Sequence, residues 1–195
     1  MLKKRTPLLI SFILTVILLL PGVCYASNIT THLVIKDMYG LTRFDDDVTV
    51  QTGDNVLDVL YAAEAADPDI AVVFDPDNPY ITGGYVESMY GQASPWGERT
   101  DGWIYYVNDV MPMHGVAAHR VYDNDEVDWY WGTMDGPAPI VVDCDFNNDG
   151  VVNNSDLILL GQHYGQTGTP GWIIYDVYKD GVIDALDADV VALYM

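Results

Sequence analysis

Basic residues are scarce in this chain: 8 Lys and Arg stand against 29 Asp and Glu in 195 residues, a formal net charge of −21. Three of the eight, Lys3, Lys4 and Arg5, precede an apolar run at the amino terminus, leaving 5 bases against the same 29 acids in residues 27–195. A field of that sign repels phosphate backbones and anionic lipid headgroups, which excludes nucleic acid and membrane surfaces as partners. Cysteine is rarer still, with Cys24 inside the apolar leader and Cys144 alone beyond it. No disulfide framework can form within residues 27–195. Long hydrophobic runs are missing after residue 26, so no membrane insertion is expected once the leader is removed. Phosphate-binding glycine loops and nucleophile elbows are absent too. His32, His114, His119 and His163 show no paired metal spacing, and Glu64, Glu87 and Glu98 are not brought together by any pattern. The expectation is a non-catalytic protein. What is plentiful is apolar and aromatic surface, at 50% and 12% of residues, which rules out an acidic disordered chain.

Lys3-Lys4-Arg5 followed by Leu8–Leu20 has the charged and apolar regions of a secretory signal peptide, and the small residues Cys24 and Ala26 place cleavage after Ala26. The chain is therefore expected to be secreted, with any association with a cell surface made through a partner. Its character changes at Gly136-Pro137-Ala138-Pro139. Strand-like segments separated by turns precede that point, and a stretch dense in Asp, Asn and Gly follows it. The expected division is a signal peptide 1–26, a first domain 27–138, a linker 139–142 and a small domain 143–195.

In the first domain, His32–Lys36, Asp47–Gln51, Ile70–Phe74, Tyr85–Met89, Trp103–Val107 and Val127–Trp131 read as strands. Val56-Leu57, Val59-Leu60 and Ala63 fall on one helix face, with Asp54 placed to cap it. Asp45-Asp46-Asp47 reads as a solvated turn. One helix among several strands predicts an α+β fold in which a sheet packs on that helix. Trp103 and Trp129 are expected in the core. Trp96, in the Pro- and Gly-containing loop after Gln92, is the expected ligand contact.

The clearest chemistry lies in residues 145–187. Asp145, Asn147, Asp149, Asn153 and Asp156 put oxygen-bearing side chains at positions 1, 3, 5, 9 and 12 of a twelve-residue loop, with Gly150 at position 6 and the Val151 carbonyl at position 7. This is the spacing with which an EF-hand loop wraps calcium, a hard cation that takes six to eight oxygens. The pattern returns 31 residues later as Asp176, Tyr178, Asp180, Gly181, Val182, Asp184 and Asp187. Two calcium sites are expected. The second is the weaker, because Tyr178 replaces a short oxygen donor at position 3. Neither loop closes with the longer Glu. A unit of this size builds little core, so metal binding is expected to supply folding free energy.

On these residues the carboxy-terminal segment resembles a dockerin domain of type I, a family with two calcium loops, each followed by a helix, that docks onto cohesin domains of extracellular scaffolds. The resemblance implies a small α-helical domain, a cohesin-type partner or cell-surface scaffold, and a process such as polysaccharide catabolism. It also implies that positions 10 and 11 of each loop, Asn154-Ser155 and Ala185-Leu186, touch that partner. The asymmetry of these two pairs argues against a symmetric, two-way docking mode. In the first domain, Asn55-Val-Leu57-Asp-Val59-Leu60, Gly102-Trp103-Ile-Tyr105-Tyr106-Val107-Asn108 and Asp125-Glu-Val127-Asp-Trp129-Tyr130 occur in the order of the transcobalamin-like C-terminal domain family, which they resemble. That resemblance implies a β-grasp-like sheet. It also carries an alternative role, the capture of a corrinoid; contact with polysaccharide is a further one.

Overall fold

The computed structural model describes residues 26–78, 81–93 and 101–195. The expected leader up to residue 25, and Trp96 with its loop, lie outside the described residues. Strand β1 (Asn28–Lys36) buries Ile29, Thr31, Leu33 and Ile35 and turns the residues between them outward, the period-2 pattern of a sheet with one covered face. It pairs antiparallel with β2 (Thr42–Gln51), and Asp45, Asp46 and Asp47 lie opposite Val34, Leu33 and His32. The three aspartates are therefore strand residues and not the expected turn. The sheet order explains why they are tolerated: β2 is an edge strand, where exposed charge discourages pairing with another chain.

Helix α1 (Val56–Ala66) follows. Its cap is Asn55, one residue after the expected Asp54: the Asn55 Oδ1 accepts the Leu57 and Asp58 amides, and the Asp58 carboxylate reaches back to the Asn55 amide. The Asp54 carboxylate instead accepts the Gln51 amide and closes the preceding turn. Val56, Leu57, Val59, Leu60 and Ala63 form the buried face of α1. The expected strand at Ile70–Phe74 is shortened to β3 (Val73–Asp75), because Pro68 opens a 3₁₀ turn through Ile70 and Ala71 takes a left-handed conformation with φ 45°.

Strands β4 (Tyr85–Met89) and β5 (Gln92–Ala93) complete a small sheet with β3. Strand β6 (Gly102–Val107) pairs antiparallel with β7 (Glu126–Thr133), and β8 (Gly136–Pro137) pairs with the end of β7. The main sheet runs β2-β1-β7-β6, with β1 and β7 parallel at its centre. Covered on one face by α1, it is the α+β arrangement expected. Trp129 and Trp131 are among its largest fully buried side chains.

Two eight-residue helices, α2 (Asn154–Gly161) and α3 (Ala185–Ala192), complete the chain. They belong to a second core of Cys144, Leu160, Val177, Tyr178, Ile183, Val190 and Val191. That core also contains Tyr39 and Leu41, from the turn between β1 and β2. Residues 139–142, expected as a linker, are strapped across the junction: the Ile140 amide donates to the Met38 carbonyl (2.7 Å), and the Val142 amide to the Tyr194 hydroxyl (3.3 Å). Among the described residues no helix is long and apolar enough to cross a membrane.

Leu60 is fully buried between α1 and the sheet. Leu60→Ala removes three carbons from that contact and should lower the unfolding free energy by about 2–5 kcal/mol. Denaturant titration followed by tryptophan fluorescence reads this loss.

Candidate functional site

The two acidic loops follow the same backbone path. Position 4 is left-handed in both, with φ 57° at Asn148 and at Lys179, and position 6 is glycine at φ 88° (Gly150) and 90° (Gly181). A Cβ is strongly disfavoured at that second value, so glycine is required there. Position 1 gathers loop amides in each case: the Asp145 carboxylate accepts from Asp149 and Gly150, and the Asp176 carboxylate from Gly181 and, outside the loop, Gly171. Positions 9 and 12 start the helices. Asn153 and Asp184 cap α2 and α3, while Asp156 and Asp187 complete the capping boxes from the third helical residue. Val152 and Ile183, at position 8, pack into or against the second core.

The donor set is oxygen throughout, which suits a hard cation. Asp156, Asp176 and Asp187 are buried carboxylates. Backbone amides of Asn153, Asn147 and Phe146 hold Asp156 below the usual carboxylate range. Burial, and then the charges of Asp176 and Asp180, push Asp187 up against the pull of the Tyr178 and Asp184 amides. A cation would relieve that crowding. Among the described residues no three Asp, Glu, His or Cys side chains converge closely enough to enclose an ion. The turns are formed, and the carboxylates are turned to their own loop amides.

Tyr178 departs from its expected place as a ligand. Its hydroxyl leaves loop 2 and enters the first domain, where it donates to Asp37 Oδ2 (3.0 Å) and accepts from Gln92 Nε2 (2.7 Å) and from Arg43 Nη1. The ring lies 4.9 Å from that of Tyr39, and the Arg43 guanidinium sits over the Tyr90 ring at 4.5 Å. A long aromatic side chain cannot put an oxygen into so tight a loop. Here it reaches across the junction instead. Of the expected partner contacts, Asn154, Ser155 and Ala185 are exposed, whereas Leu186 is half-buried against the second core. Ile158, one turn along α2 from Asn154, is 65% exposed and extends that face.

The first domain contains a feature with no signature in the sequence, a cavity of about 830 Å³ whose walls include Trp103, Tyr105, Met111, Met113, His114 and Trp129. Tyr105 stacks on Trp129 at 5.2 Å. Trp103 Nε1 donates to the Gln92 carbonyl, while the buried Trp129 Nε1 has no hydrogen-bond partner among the described residues. Trp103 and Trp129 thus serve both as core, as expected, and as cavity wall. Alternation along β6 and β7 marks them as buried, but nothing in that pattern separates packing on α1 from lining a hollow.

Residues 144–195 match the dockerin type I domain. The match takes in both loops, α2 and α3, as the motifs led us to expect. Residues 53–133, from α1 to the end of β7, match the family described as a domain of unknown function, DUF4430. Among solved structures the chain is similar to haptocorrin in complex with Cbi, at 19% identity and a TM-score of 0.46, over 53% of this chain and 25% of haptocorrin. It is also similar to a putative metal binding protein from Ruminococcus gnavus ATCC 29149, at 10% identity and a TM-score of 0.38, over 54% of this chain and 97% of that one. The chain thus spans a quarter of the haptocorrin chain. No curated protein matches it.

Cys144, beside the dockerin-like loop 1, is buried, and burial followed by Asp143 and Asp156 pushes its thiol up to about 11. At pH 8 roughly a thousandth is thiolate, so native protein should resist alkylation that the unfolded chain accepts at once. Tyr178→Phe deletes a hydroxyl shared by three partners and should cost about 1–3 kcal/mol of stability by chemical unfolding.

Proposed function

We propose that this is an exported, non-catalytic binding protein in which the dockerin-like unit binds calcium and tethers the chain to a cohesin-type partner or surface scaffold, while the first domain takes up a ligand. The observation that carries the tethering half is the repetition of one loop conformation at Asn148–Gly150 and Lys179–Gly181, each followed by a capped helix. Asp145, Asn147, Asp149, Asn153, Asp156 and the Val151 carbonyl would hold one ion. Asp176, Asp180, Asp184, Asp187 and the Val182 carbonyl would hold the other, with Tyr178 outside the set. Bound calcium supplies positive charge to crowded carboxylates and ties each loop to its helix. The exposed face of Asn154, Ser155 and Ile158 supports α2 as the docking side.

The cavity favours a second reading for the first domain, capture of a small molecule such as a corrinoid. Its volume falls in the range of ordinary ligand sites, and its walls are aromatic and thioether-bearing. In a further reading the first domain is an accessory module whose sheet contacts polysaccharide; the expected ligand contact Trp96 lies outside the described residues.

Because the dockerin-like unit shares its core with Tyr39 and Leu41, the tests use the whole chain. Calorimetric titration with calcium should show two sites, with Asp176→Ala and Asp180→Ala together removing one. Chelator should lower the melting temperature and loosen the near-ultraviolet signal, and a cohesin array should retain the protein only with calcium. Identical melting and spectra with and without chelator would overturn the calcium reading. Calcium binding without retention on any cohesin would overturn the tethering alone. Absorbance spectra after incubation with corrinoids test the second reading.

A further inference from the structure

One pair of side chains at the edge of the cavity takes no part in the tethering or in the core. Met111-Pro112-Met113-His114 lies in the crossing between β6 and β7, and a 3₁₀ turn (Val116–Ala118) brings His119 back beside His114. The two imidazoles lie nearly parallel, at an interplanar angle of 19°. Their ring centroids are 5.1 Å apart, and His114 Nε2 is only 3.0 Å from His119 Nδ1.

Both ends of the pair are pinned. The Tyr105 hydroxyl donates to the His114 carbonyl (2.8 Å), and the Val56 amide at the start of α1 donates to the His119 carbonyl (3.0 Å). Gly115 between them sits so close to Gly83 and Gly84 that a Cβ would lie 2.0 Å from the Gly84 oxygen. The His119 ring meets the edge of Tyr105 at 6.1 Å. The arrangement is held from several sides and not by its own loop.

Two imidazole nitrogens that face each other at this distance share either a proton or a cation. At 3.0 Å the two nitrogens are in hydrogen-bond contact, and a cation held by both at about 2.0–2.1 Å would replace the shared proton with a swing of the exposed His114 ring. The surroundings decide which cation fits. Among the described residues no third His, Cys, Asp or Glu side chain joins the two imidazoles in such a cluster. Thioethers are present instead: Met111, Met113 and Met134 line the same cavity as His114. Met113 is 81% exposed and Met134 63% exposed, so neither is spent on packing. Thioether with imidazole is the ligand combination of a soft ion. We propose that His114 and His119, with the thioethers of Met111 and Met113, form a binding site for a soft monovalent cation, Cu(I).

A further fact supports the site. The chain's strong net negative charge draws cations toward the protein. The site is independent of the calcium loops, whose carboxylates are poor ligands for so soft an ion.

The test is an anaerobic competition for Cu(I) between the calcium-loaded full chain and the chromophoric chelator bicinchoninate. Both cysteines are replaced by serine (C24S, C144S), which removes thiol binding. The protein should take one equivalent from the chelator. His119→Ala and His114→Ala should each weaken binding at least tenfold, and the exposed His114 ring keeps the test valid if His119→Ala disturbs folding. Met111→Leu with Met113→Leu should also weaken binding at least tenfold at unchanged melting temperature. Failure to take copper from the chelator, or equal affinity in the His114→Ala protein, would overturn the site. Full affinity in the double leucine variant would overturn the thioether ligands and with them the choice of a soft ion.

Discussion

A single buried carboxylate, Asp37, joins the two halves of this molecule. It is 1% exposed, and its Oδ1 accepts the amides of Tyr39 and Leu41, which shapes the turn between β1 and β2. Its Oδ2 accepts the Tyr178 hydroxyl and lies 3.5 Å from Arg43 Nη1. A charge so deep is tolerated only when every oxygen is engaged. Four donors from both domains meet that requirement together, so the turn, the arginine and the carboxy-terminal loop are mutually dependent. Tyr39 and Leu41, presented by that turn, then become part of the second core.

This junction alters how the carboxy-terminal unit should be pictured. A tether is usually thought of as a separate body on a flexible lead. Here residues 139–142 are hydrogen-bonded on both sides, and loop 2 contributes its position-3 side chain to the first domain. Helix α2 contributes Leu160 to the core shared with Tyr39 and Leu41, while its Asn154, Ser155 and Ile158 remain exposed. The two loops, alike in backbone, thus differ at position 3: Asn147 bonds within its own loop, while Tyr178 enters the first domain.

Much of this is legible in the residues. The loops announce themselves by spacing, because glycine at position 6 flanked by acids at fixed intervals serves few purposes besides wrapping a cation. Strand β4 and the helix face of α1 follow from periodicity. Local composition misleads where tertiary context prevails over it. Asp45-Asp46-Asp47 looks like a turn until β1 is placed beside it, and Asn55 outcompetes Asp54 as the cap because Asp58 can answer it from three residues on. Tyr178 is recognisable as a poor ligand, but its destination depends on Asp37, 141 residues away, which no local pattern could reveal. The cavity and the His114–His119 pair are hidden for the same reason: a separation of five residues without a helix says nothing until the 3₁₀ turn and Gly115 fold the segment back.

The parallel pairing of β1 with β7 sets an order of events during synthesis. His32 finds its neighbour only when Glu126 has left the ribosome, so the centre of the sheet stays open while the intervening chain is made. Long-range closure of this kind is slow and leaves unpaired edges exposed. The receptor for Tyr178 combines Asp37 on the turn that follows β1 with Arg43 on β2 and Gln92 on β5, all of which are translated before the segment that completes it. The segment around Tyr178 acts as a latch, translated after the residues whose side chains it engages.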